Sequence, residues 1–95
     1  MDQKSLGKYG QMAMMYLKEE HPNRYSLLLS EGILMETMHK VNQQAWERME
    51  LLKNQMLKTD PIPNPKDTYQ SYRHREMIRA RAEELVLHEI VYKAR

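Results

Sequence analysis

Four histidines and thirteen acidic residues are the raw material for metal binding or acid–base chemistry. Glu36-Thr37-Met38-His39 is a Glu-x-x-His on a helical stretch, half of the set that di-iron bundles use twice. A di-metal site needs a second copy facing it. The C-terminal stretch offers Glu84 and His88, spaced by four rather than three, so the set does not close. Glu89 falls near the apolar stripe of its helix and reads as a boundary carboxylate bonded to a tyrosine or arginine. There is no cysteine, which excludes thiolate catalysis and cysteine-ligated zinc. No glycine-rich phosphate loop occurs, and no serine sits in a nucleophile setting. These residues predict a protein without metal, cofactor or catalytic set.

Charge and side-chain softness are the remaining chemistry. Arg73-His74-Arg75-Glu76-Met77-Ile78-Arg79-Ala80-Arg81 places four arginines and one acid in nine residues. That is +3 over about 12 Å of helix. Arg75 and Arg79 share one face, Arg81 lies on another, and Tyr69 and Tyr72 stand just ahead. Arginine beside tyrosine suits phosphate contact and base stacking, although Glu76, Glu83 and Glu84 lie at ion-pairing distance along the helix. Arg73, Arg75, Arg79, Arg81 and Tyr72 are therefore the candidate nucleic-acid or partner-binding residues. Nine methionines with no phenylalanine is the second oddity. Methionine adapts to irregular partner surfaces, so Met12, Met14 and Met15 form a candidate protein-binding patch.

The elements that must hold these residues are helical. The chain has 95 residues, enough for one domain. It is dominated by good helix formers, its four prolines and three glycines are few, and the prolines are clustered. Residues 1–7 read as a polar tail. From Lys8 to Glu20, Tyr9, Met12, Met15 and Tyr16 fall on one helical face, until His21-Pro22 stops the run. Pro22 can open a second short helix carrying Tyr25, Leu28 and Leu29, which Gly32 ends. Over 33–58 Leu34, Met38, Val41, Ala45, Met49, Leu52 and Met56 keep a 3.6-residue period, a helix about 39 Å long. Three prolines within 59–67 forbid a helix and predict a stiff connector. Asp67 or Thr68 can then cap a last helix over 68–92, with its stripe through Tyr72, Ile78, Ala82, Leu85, Val86 and Ile90. Trp46 lies at the edge of the long helix's stripe. The expected fold is an all-α bundle of three or four helices, in which two long antiparallel helices are closed by an N-terminal helical hairpin.

Two end motifs add a resemblance. Tyr9-Gly10-Gln11-Met12, running on to Tyr16-Leu17-Lys18-Glu19-Glu20-His21-Pro22, is followed near the other end by Ile78-Arg79-Ala80-Arg81-Ala82-Glu83-Glu84-Leu85-Val86-Leu87-His88-Glu89-Ile90-Val91-Tyr92. In this order and separation they resemble TnpV, a family of small proteins encoded on conjugative and mobilisable transposons. The resemblance spans about Tyr9 to Tyr92 and implies accessory work in transposon biology rather than recombination chemistry. The first helix carries Gln11, Ala13, Met14 and Met15 where the family pattern is more basic. Any nucleic-acid role therefore moves to the last helix.

The net charge of +2 divides into +1 on each side of Lys58, too even to mark a nucleic-acid binder by itself. The longest aliphatic runs are three residues, far short of a membrane span. Without a signal-like start, the expected location is the cytoplasm. The sequence thus predicts a non-enzymatic accessory or regulatory protein of a mobile element that contacts DNA through its last helix. The alternative is a helical adaptor or inhibitor of an element-encoded, host or defence protein. Neither reading calls for a small-molecule substrate, and a homodimer is compatible with both.

Overall fold

A computed structural model describes residues 6–95. The elements are α1 (Lys8–Glu20), α2 (Pro22–Ser30), α3 (Leu34–Thr59) and α4 (Thr68–Val86), which runs directly into a π-helical turn over Leu87–Val91. Among the described residues there is no strand, and the fold is the expected all-α bundle. The proline connector breaks the two long helices where the sequence requires it.

Local signals account for the helix ends. Pro22 occupies the first turn of α2, where its missing N–H costs nothing. Gly32 adopts φ 74°, and the Ile33 amide reaches back to the Leu28 carbonyl at 3.1 Å, a left-handed stop that turns the chain into α3. Asp67 caps α4, with Oδ1 accepting from the Tyr69 and Gln70 amides at 3.1 Å each. His74 Nε2 lies 2.7 Å from the Asp60 carbonyl, and Ser71 Oγ donates to the Asn64 carbonyl at 3.2 Å, so the proline connector is tied to the helix it precedes.

Side-chain contacts fix the directions. Arg48 pairs with Glu89 while His74 meets Asp60, so α3 and α4 are antiparallel. Tyr9 stacks edge-on against Trp46 at 4.9 Å, and Gly10 lies against the Met38 carbonyl. Hence α1 runs antiparallel to α3. Its far end meets the C-terminus, where the Tyr16 and Tyr92 rings are 5.3 Å apart. The core sits between α1, α3 and the C-terminal part of α4, and comprises Leu6, Tyr9, Ala13, Met14, Leu17, Leu28, Met38, Val41, Ala45, Met49, Val86, Val91 and their neighbours. No helix among the described residues is long and apolar enough to cross a membrane.

The molecule is 54 Å long but 22 × 19 Å across. Its length comes from an arm in which α3 beyond Met49 and α4 before Arg79 pack on each other alone. Leu52, Ser71 and Ile78 are the buried residues there, and Ile78 lies outside the contiguous core. Two helices can bury one narrow seam between them and leave their flanks in water.

Five expectations need correction. Residues 1–5 lie outside the described residues, but Leu6 is not part of a polar tail. It is 0 % exposed and packs on Gly10. In α1 the buried face is Tyr9, Gly10, Ala13, Met14 and Leu17, with Met15 exposed. The stripe is rotated because Gly10 and Ala13, too small to register as hydrophobic markers, let α1 approach α3 closely. Tyr72 is 64 % exposed rather than core; it precedes Ile78 by six residues, about 120° round the helix, and Ser71 takes the inward position. Leu85 is 42 % exposed, because Ala82 and Val86 take the buried positions and leave Leu85 on an open flank beside Met56. The π turn adds one residue to the last helical repeat, shown by the Tyr92 amide bonding to the Leu87 carbonyl at 2.7 Å. Val91 is therefore buried where a regular α-helix would have placed Ile90, which is half-buried.

Candidate nucleic-acid and partner interface

The two end motifs meet in space. Glu83 Oε2 accepts from Lys8 Nζ at 3.0 Å, from the Tyr9 hydroxyl at 3.0 Å and from Arg79 Nη1 at 3.1 Å. These donors, the Lys8 ammonium first, hold its carboxyl below the usual carboxylate range against the opposing effect of burial. Burial, and then Glu83, push the Tyr9 hydroxyl up to about 12. A carboxylate already saturated by three donors is a joint rather than a poised acid. Beside it, Asn42 Oδ1 accepts from the Tyr9 and Gly10 amides at 3.1 Å each. Gly7, the N-cap of α1, has no side chain to do this, so α3 supplies the cap from across the interface. The Tyr9-Gly10 and Glu83 positions thus lock α1 onto α3 and α4.

The four arginines are not one surface. Arg79 is committed, donating Nε to Glu76 Oε2 at 3.2 Å as well as Nη1 to Glu83. Arg73, Arg75 and Arg81 form no ion pair with a described residue. Arg73 lies over the Tyr69 ring, 5.9 Å from its centroid, in a hollow with Pro63, Gln70 and His74. Arg75 faces a different hollow, between α3 and α4, with Glu50, Lys53, Asn54 and Leu57. Arg81 lies in a third, beside Met56, Glu84, Leu85 and His88. Tyr69 and Tyr72 are 67 % and 64 % exposed at the start of α4. The structure therefore brings Tyr69, Tyr72, Arg73 and Arg75 to the tip of the arm, sets Arg81 apart, and turns Arg79 inward. Lys53 near Arg75 escaped notice in the sequence, because its place depends on the pairing of α3 with α4.

The methionines also divide. Met14 is core. Met12 and Met15 line an open hollow of about 670 Å³ with Tyr16, Gln11 and Tyr92. Tyr92 could be found for this site only once the π turn was known. Glu89 is an outer carboxylate paired to Arg48 at 3.1 Å. Among the described residues no three histidine or acidic side chains converge as a metal site would require.

A family model described as "Transposon-encoded protein TnpV" matches residues 1–91. The chain belongs to the TnpV family. The match takes in all four α-helices and the π turn, and so includes the joint and the arm alike. No curated protein and no solved structure matches the chain. Within this TnpV fold, Tyr9, Gly10, Arg79 and Glu83 of the end motifs hold helices together, whereas Met12, Tyr16 and Tyr92 of the same motifs line the open hollow.

Proposed function

We propose that this protein is a non-enzymatic accessory or regulatory factor of a mobile element, acting in the cytoplasm, that contacts DNA through the first half of α4. The observation behind this reading is the tip of the arm, where Arg73 and Arg75 are exposed without a carboxylate partner among the described residues. Guanidinium groups left unpaired keep their full attraction for phosphate. Membership of a transposon-encoded family makes DNA a natural ligand. Sequence-specific readout is a weaker reading, since α2, the helix after the first turn, carries Leu27-Leu28-Leu29 rather than polar base-reading groups. The test is binding of labelled DNA across a salt series. Two to three phosphates neutralised would give a log–log slope of roughly −2 to −3. Arg73→Gln with Arg75→Gln should weaken binding and flatten the slope at unchanged helix content. No binding at low salt, or an unchanged slope in that pair, would reject it.

The second reading is a protein-binding adaptor or inhibitor. It is favoured by the hollow of Met12, Met15, Tyr16 and Tyr92, where soft and aromatic groups line a concave surface. Partners captured from the host that survive nuclease treatment and are lost in Met12→Ser/Met15→Ser would support it over DNA contact.

A further inference from the structure

We infer that the tip of the arm is a binding platform for single-stranded DNA, with Tyr69 and Tyr72 as base-stacking surfaces and Arg73 and Arg75 as phosphate contacts. This deepens the DNA-contact reading and rests on it. Three features of the tip suit a nucleic-acid strand, and the first of them points to an unpaired one.

The first is the aromatic exposure. Tyr69 and Tyr72 leave about two-thirds of their surface in water, at 67 % and 64 %, on adjacent turns of one helix. Residues three apart are neighbours on a helix surface, so the two rings can take two bases of one strand. Every base has a π-face that can cover such a ring, and each base–tyrosine stack changes affinity by about five-fold or more. In a duplex those faces are already covered by neighbouring base pairs.

The second is the placement of charge. Arg73 and Arg75 are two residues apart, about 200° round the helix, and each borders a different hollow. A duplex could meet both only by seating α4 in its major groove, where its bases stay stacked on one another and leave the two tyrosine rings unused. A flexible single strand can wind across the helix, meeting Arg73 on one flank and Arg75 on the other. The third is the state of nearby carboxylates. Asp67 is turned to the Tyr69 and Gln70 amides, Asp60 lies 3.9 Å from His74, and Glu50 is 3.1 Å from Lys53. Glu76 is engaged by Arg79. Arg73 is held over the Tyr69 ring, so cation and stacking surface form one unit.

The experiment measures fluorescence anisotropy with labelled oligothymidine, a mixed-sequence duplex of the same length and oligouridine, at low salt. Thymidine strands should bind most tightly. Tyr69→Ala with Tyr72→Ala should weaken that binding at least ten-fold and leave duplex binding unchanged. Tyr69→Phe with Tyr72→Phe should stay near the parent, because the ring and not the hydroxyl is needed. The residues are exposed, and circular dichroism verifies that each pair keeps its helix content. Duplex preferred over single strand, or an alanine pair equal to the parent, overturns the platform while DNA contact through the arginines stands. Oligouridine bound as tightly as oligothymidine overturns the commitment to DNA. No binding to any of the three rejects the DNA-contact reading itself.

Discussion

Replacing Asn42 with alanine isolates the joint between α1 and the long helices. Its Oδ1 accepts from the Tyr9 and Gly10 amides at 3.1 Å each, two of the donors that every helix start leaves without an intrahelical partner. A net hydrogen bond contributes roughly 0.5–1.5 kcal/mol, and partly buried amides left orphaned add to the loss. The expected destabilisation is about 2 kcal/mol. For a chain of this size that lowers the melting temperature by about 8–16 °C. Guanidinium unfolding followed by circular dichroism gives the free energy, and amide exchange gives the location. The Tyr9 and Gly10 amides should lose protection first. Asn42→Asp retains an acceptor and faces the positive end of α1, so it should lie between alanine and the parent. Gly10→Ala strikes the same joint differently, since its Cβ would stand 2.8 Å from Leu6 Cγ and 3.0 Å from the Met38 carbonyl oxygen. That backbone atom cannot swing away, and overpacking of this kind costs about 1–3 kcal/mol, partly offset by about 1 kcal/mol of helix propensity. An Asn42→Ala loss below about 0.5 kcal/mol, with unchanged exchange at both amides, would refute the cross-helix cap.

Two further outcomes follow from burial and titration. Leu52→Ala should cost about 2–4 kcal/mol, since Leu52 is 7 % exposed, whereas Leu85→Ala should cost under about 1 kcal/mol; equal losses in urea melts would overturn the placement of the seam. The Tyr9 hydroxyl is raised to about 12 by burial first and Glu83 second. The folded value exceeds the unfolded one of about 10, so this contribution is complete below about pH 10 and disappears as pH climbs through about 12. Tyr9→Phe should flatten that alkaline decline, and parallel stability curves for the two proteins between pH 9 and 12 would contradict it.

Much of this fold was legible because long helices announce themselves. Leu34, Met38, Val41, Ala45, Met49 and Leu52 are all buried as their period requires, and the prolines of 59–67 separate α3 from α4. What failed depends on neighbours rather than on period. Leu6, Gly10 and Ala13 count as core only when α3 is seen against them. Ile90 and Val91 exchange places because of one extra residue in a π turn, for which no residue type in Leu87–Val91 is a signal. The candidate site was legible as composition and not as geometry. Four arginines within nine residues looked like one cluster, yet Glu76 and Glu83 engage one of them and the helix divides the others among separate flanks.

The thin arm bears on how such a protein changes over generations. Stability resides near the joint, where substitutions at Tyr9, Gly10 or Asn42 disturb packing shared by three helices. Exposed positions at the tip, such as Tyr69, Tyr72, Arg73 and Arg75, touch little and can vary at small cost. Mutational tolerance and the proposed ligand contact thus coincide at one end of the molecule. On that proposal a lineage can retune the tip while the joint stays constrained, much as an interchangeable tool is held in a fixed handle.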